Sequence, residues 1–244
     1  MTAPPLKAAT ACLEEAVLTL YAQAVAVAVT DPKAEHAAPF AIEAQAVATA
    51  REGRRREFRA GRAAAHEAMR RMGLSPAPIP AGADRAPLWP GTLTGSISHS
   101  GTLCIAVLAD ARGVPALGID IEEAQPLETD LIGDICTLPE RAWLSSQPAQ
   151  TRGLLARLLF SAKECAYKCQ YTLSHSMLGF LDLEITADLV TGQFEATFLR
   201  AVPRFATGAR LYGRYIITQD HIITAIATER HHAAAPQERR LSLW

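Results

Sequence analysis

The segment Gly118-Ile119-Asp120-Ile121-Glu122 alternates acidic and branched apolar residues. On an extended strand that alternation sends Asp120 and Glu122 to one face and Ile119 and Ile121 to the other, so two carboxylates stand side by side above a buried surface. About forty residues later Phe160-Ser161-Ala162-Lys163-Glu164-Cys165-Ala166-Tyr167-Lys168 lies in sequence of helical spacing. There Glu164 and Lys168 share a face one turn apart. Three carboxylates and two lysines converging on a cleft are what a divalent cation and a phosphate ester require, because Mg2+ takes a few carboxylate oxygens and completes its shell with water and substrate phosphate. The chemistry indicated is phosphoryl-type transfer. Each piece alone has a plainer reading, since an i,i+4 Glu-Lys pair is a common helix salt bridge worth ~0.3–0.5 kcal/mol.

The rest of the chain bounds this reading. Its 244 residues, 49% of them apolar, can bury a large core as one domain or two small ones. The formal net charge of −1 gives no global field for nucleic acid or a membrane. Basic charge is instead local, with arginines at 51, 54, 55, 56, 59, 62, 70 and 71. Such a patch suits a small polyanion. The five cysteines are odd in number and lack C-x-x-C spacing, so they read as reduced, cytoplasmic thiols. The apolar run 16–30 is preceded by Glu14 and Glu15 where a signal peptide would be cationic. No run reaches the ~18 apolar residues of a membrane span.

Residues 1–10 read as a loose tail and Val25 to Thr30 as a short strand. A helix is expected over Arg54 to Met72, closed by Gly73 and Pro76. The Pro- and Gly-rich stretch 75–91 is a loop carrying Arg85 and Trp89. Ser96 to Gly101 reads as a turn between this loop and a strand pair, Leu103 to Leu108 and Ala116 to Glu122. Ser98 beside His99 raises a serine hydrolase, but no G-x-S-x-G elbow is present. Short helices follow at 128–136 and 138–144, then a long helix at 151–171, four strands between Phe180 and Thr228, and a polar tail from His231.

In that order and at that separation, Gly-Ile-Asp-Ile-Glu and Phe-Ser-Ala-Lys-Glu-x-x-x-Lys resemble the 4′-phosphopantetheinyl transferases, of the enterobactin-synthetase type found in siderophore pathways. Three further segments agree: Arg54-Arg55 through Glu57, Gly61 and Arg62; Arg85 through Pro90; and Gly95-Ser96-Ile97-Ser98-His99. The resemblance implies an α+β fold of two similar halves in one chain, with the active site in the cleft between them. The expected halves are 1–124, carrying the basic patch and the Asp-x-Glu strand, and 125–244, carrying the Lys-Glu-x-x-x-Lys helix.

The implied reaction moves the 4′-phosphopantetheine arm of coenzyme A to a serine of an apo carrier protein, peptidyl, aryl or acyl, and releases 3′,5′-bisphosphoadenosine. By the same resemblance Asp120, Glu122 and Glu164 hold Mg2+ or Mn2+. Glu164 is also the general base, and Lys163 and Lys168 steady the phosphates, with Lys168 the proton donor to the leaving group. Arg54, Arg55, Arg62, Arg85, Ser98 and His99 bind coenzyme A, His99 by donating to the pyrophosphate. The carrier serine must reach Glu164 at the cleft mouth, so the expected docking surface is the segment after Glu122 together with the helix holding Lys163 to Tyr171. Leu138 is the candidate apolar contact and Arg141 the candidate charge contact, and the enzyme is expected to be a cytoplasmic monomer. Two other functions compete: a carrier-independent hydrolase of the coenzyme A pyrophosphate, and a silent coenzyme A-binding protein.

Overall fold

A computed structural model describes residues 6–229. The elements run α1 (Leu6–Leu18), β1 (Ala26–Thr30), α2 (Ala41–Gln45), α3 (Glu52–Arg71), β2 (Leu93–His99), β3 (Cys104–Asp110) and β4 (Leu117–Glu123). After them come α4 (Ile132–Ile135), α5 (Leu138–Ser146), α6 (Ala149–Ser174), β5 (Leu183–Asp188), β6 (Gln193–Phe198), β7 (Arg210–Ile217) and β8 (His221–Ala227). The strands form two antiparallel sheets, β1-β3-β2 and β4-β8-β7-β6-β5. The expected α+β class holds. The tail expected from 1 to 10 gives way to helix at Leu6, and the tail expected from His231 lies outside the described residues.

Two local rules shape the first half. Gly73, at φ +75°, closes α3, and the Leu74 amide turns back to the Met69 carbonyl at 3.0 Å. This is the left-handed ending that glycine permits. The six residues Cys104 to Ala109 are all buried, which puts β3 at the centre of its sheet, as a strand apolar on both faces must be. Ala64, Ala65, Ala68 and Met69 of α3 pack beneath that sheet. In the second half Leu155, Leu158, Leu159 and Ala162 of α6 cover one face of the five-stranded sheet, whose other face takes Val17 of α1 and Leu20 from the turn after it.

Two expectations are corrected. The turn at Ser96 is the middle of β2, which alternates toward the core with Thr94, Ser96 and Ser98. The strands β3 and β4 are not a pair; β4 is hydrogen-bonded to β8, so the Asp-x-Glu strand lies in the sheet of the second half. Between β2 and β4 the ladder is replaced by hydroxyls: the Ile119 amide donates to Ser96 Oγ at 3.1 Å and the Ile121 amide to Ser98 Oγ at 3.3 Å. Gly118 lets β4 meet α6, since a Cβ there would stand 2.2 Å from the Cys165 carbonyl. No cysteine is disulfide-bonded. Among the described residues no helix is long and apolar enough to cross a membrane.

Candidate active site

A cavity of about 700 Å³ opens where β2, β4, α3, α6 and the 84–89 loop meet. One wall is basic and carries Arg54, Arg62, Arg85 and His99; the other carries Asp120, Glu122, Glu164 and Lys168. Trp89 anchors the loop, because Gly95 leaves room for its ring: a Cβ on Gly95 would fall 2.7 Å from it. Arg85 sits in that loop in the left-handed region, at φ 69°, held by its amide to the Gly82 carbonyl.

On the basic wall Arg54 Nη1 lies 2.6 Å from His99 Nε2 and 3.2 Å from Glu57 Oε2. A guanidinium can only donate, so His99 accepts there and is the neutral ring. Burial first, with Arg54 and Lys168 pushing the same way against Glu57, lowers the His99 pKa. The expected donation from His99 is therefore reversed in this state. Arg62 is buried; its Nε donates to the Ile79 carbonyl at 3.0 Å, and its guanidinium lies 4.5 Å from the Phe58 ring centre. Desolvation lowers its pKa to about 10. Arg55 does not line the cavity; its Nη2 pairs with Glu52 at 2.7 Å on the outer side of α3.

The acidic wall is a network around Asp120. Its Oδ1 accepts from Lys168 Nζ at 2.6 Å and from Ser98 Oγ at 2.7 Å. Lys168 also donates to Ser98 Oγ at 3.0 Å and to the Ile119 carbonyl at 3.3 Å. Ser98 lines the cavity, yet its hydroxyl is committed to this network. Burial alone would lower the Lys168 pKa, but Asp120, by charge and hydrogen bond, holds it raised. Burial also raises Glu164, with Lys168 opposing and Asp120 adding. Glu122 is pushed up to about 7, first by burial and then by Asp120, against Arg157 and Lys168. Carboxylates crowded together in a part-dry site favour the protonated form.

Lys163 departs from the expectation. It is 1% exposed and points to the opposite side of α6, where Nζ donates to Glu140 Oε2 at 2.7 Å and to the carbonyls of Ile135 and Phe180 at 2.8 and 2.9 Å. Neighbours on a helix point about 100° apart, and of the two only Glu164 lines the cavity that holds Asp120 and Lys168. Sequence reasoning missed Tyr167 and Tyr171 of α6 and His175 just past its end, which line the cavity with successive rings 5.7 and 5.9 Å apart. Their four-residue spacing was the available signal. Asp84 was missed as well; its Oδ2 takes the Tyr171 hydroxyl at 2.5 Å across the mouth.

The carboxylates suit a hard cation. Asp120 Oδ2 is buried without a hydrogen-bond partner, and such an atom is costly unless something satisfies it. Among the described residues no three acidic, His or Cys side chains are gathered closely enough to hold a metal ion by themselves. An ion held here would draw part of its shell from water and substrate, as Mg2+ does.

Two family models match the chain: residues 42–109 match the 4′-phosphopantetheinyl transferase N-terminal domain, and residues 116–226 the 4′-phosphopantetheinyl transferase superfamily. The chain is 36% identical over 193 residues to 4′-phosphopantetheinyl transferase Svp of Streptomyces mobaraensis, covering 77% of this chain and 78% of that protein. It is 32% identical to 4′-phosphopantetheinyl transferase PptT of Mycobacterium tuberculosis, over 77% of this chain and 85% of that one. With enterobactin synthase component D of Salmonella typhimurium it shares 34% identity, over 75% and 77% of the two chains. With two family models laid end to end over this cleft and relatives of this coverage, the chain belongs to the 4′-phosphopantetheinyl transferases, enzymes that move the phosphopantetheine arm of coenzyme A to carrier proteins.

Proposed function

We propose that the chain serves carrier proteins of a siderophore or related secondary-metabolite pathway, as a monomer that uses Mg2+ or Mn2+ held by Asp120, Glu122 and Glu164. The metal-dependent reading rests above all on one observation, the buried, unpartnered Oδ2 of Asp120, a residue lining the cavity. The relatives named enterobactin synthase component D support the pathway class, and two halves within one chain support the monomer.

Coenzyme A lies with its phosphates against Arg54, Arg62 and Arg85. The carrier serine oxygen forms a bond to the phosphorus bearing pantetheine, the bridging P–O bond breaks, and 3′,5′-bisphosphoadenosine leaves with the electron pair. When bound, the metal ion offsets the charge of the pyrophosphate. Glu164 takes the serine proton, and its raised pKa makes its carboxylate a stronger base near neutral pH. Lys168, kept cationic by Asp120, stabilises the leaving phosphate by charge. That role replaces proton donation, which a raised pKa disfavours. Arg54 exchanges its bond to His99 for a substrate phosphate, which frees Nε2 of the ring.

The test is incubation with coenzyme A, Mg2+ and a panel of apo carriers, read by intact mass. A phosphopantetheine increment on peptidyl or aryl carriers is expected. Increment on fatty-acid carriers alone would overturn the pathway reading, and coenzyme A turnover without any carrier would favour a hydrolase.

A further inference from the structure

The side chain that fixes Glu122 is one the reaction does not require by itself. Arg157 lies on α6 two turns before Glu164, and its side chain is 16% exposed. Its Nη1 donates to Glu122 Oε2 at 3.3 Å and its Nη2 to Glu128 Oε2 at 3.1 Å. The same guanidinium reaches the Gln125 carbonyl from Nε and the Pro126 carbonyl from Nη2, both at 3.4 Å. The segment it grips is pinned to α6 beside it: the Leu127 amide donates to the Gly153 carbonyl at 3.0 Å, and a Cβ on Gly153 would stand 2.6 Å from Pro126. One fork therefore joins a cavity carboxylate, the chain that follows it, and the helix that carries Glu164.

We infer that Arg157 is a positioning residue for the metal centre, holding Glu122 by one oxygen so that the other faces the cavity. The inference rests on the assignment of Glu122 to the metal. Arginine suits the task because its planar fork fixes several acceptors in one geometry, whereas an ammonium on a flexible stem does not. Groups that orient a metal ligand typically change metal affinity by about 10–100-fold when removed.

The experiment measures Mn2+ binding to the enzyme–coenzyme A complex, with no carrier present, from the loss of the free Mn2+ electron paramagnetic resonance signal. Glu122→Gln is the control for the assignment itself: if it binds Mn2+ like the parent protein, the metal reading fails and the inference with it. With that control passed, Arg157→Ala is expected to weaken Mn2+ binding about tenfold or more, and Arg157→Lys, which keeps the charge but loses the fork, by several fold. Glu128→Gln, which cuts another contact of the same fork, is expected to bind Mn2+ as the parent does. If Arg157→Ala does not fold, Arg157→Lys decides. Parent-like binding by folded Arg157 variants, or equal loss in Glu128→Gln, would show that Arg157 only clasps the 125–128 segment and would overturn the inference.

Discussion

Two lysines on opposite sides of α6 form ion pairs of nearly equal length, 2.7 Å for Lys163–Glu140 and 2.6 Å for Lys168–Asp120. They do different work because their surroundings differ. Around Lys163 every polar atom is met: the ammonium has three acceptors, Glu140 Oε1 takes the Ile185 amide, and Oε2 takes the Thr137 amide at the cap of α5. The Lys168 pair is 26% exposed on the lysine side and leaves Asp120 Oδ2 unpartnered beside a cavity. Completeness marks the first pair as architecture, whereas the second pair leaves an acceptor open at the cavity where we propose the chemistry, although the sequence presents both lysines in one motif.

The largest effect that would break this contrast is on turnover. Glu164→Gln and Asp120→Ala are expected to lower carrier modification by about 10²–10⁴-fold while circular dichroism stays unchanged; full activity in either would remove that residue from the site. Chelation by EDTA should stop the parent enzyme, and added Mg2+ should restore it. The opposite side of α6 should fail in stability instead. Lys163→Met leaves Glu140 buried and unpaired, a loss of about 3–5 kcal/mol in denaturant unfolding. The double variant Lys163→Met with Glu140→Leu should recover only part, since Glu140 also serves two amides. Unchanged stability with lost coenzyme A binding would place Lys163 in the cavity after all.

Smaller effects sharpen the comparison. Arg54→Ala should weaken coenzyme A more than dephospho-coenzyme A, by about 1.5–3 kcal/mol if one charge-assisted contact is lost; calorimetry with both ligands checks this. The pH dependence follows from the sign of the shifts. Glu122 binds its proton more tightly in the folded state, so without metal its contribution to stability is complete below about 4.5 and is lost as pH rises through about 7. Glu122→Gln should flatten that part of the stability profile. Carrier modification should rise with pH as Glu122 sheds its proton through about 7, and Glu164, whose pKa is also raised by burial, should act in the same direction. Smallest of all, Leu138→Asp on the 74% exposed side chain at the start of α5 should raise the apparent KM for carrier severalfold and leave coenzyme A affinity alone.

Much of this was legible in the letters, and the misses share a cause. Strand alternation placed Asp120 and Glu122 on one face, and helical spacing placed Glu164 beside Lys168, because both depend on local geometry alone. Lys163 was misread because its partner, Glu140, is brought to it by the α5 cap and not by any spacing. Ser96 to Gly101 reads as a turn because buried hydroxyls look like loop residues; only the amides of β4 reveal what Ser96 and Ser98 are for. Arg157 gave no signal, since two of its acceptors are backbone carbonyls of a distant segment.

Those two serines have a mechanical consequence. A seam of hydroxyl contacts between β2 and β4 lacks the backbone-to-backbone ladder that makes a sheet cooperative. The rigid parts on either side, α3 with its sheet and α6 with its sheet, are joined there by rotatable Cα–Cβ bonds that bend more cheaply than peptide planes. The Ile119 and Ile121 amides flank Asp120 itself. Their hydrogen exchange would therefore time the breathing of the whole cleft from inside it, a clock wound by two hydroxyl groups and legible without any substrate.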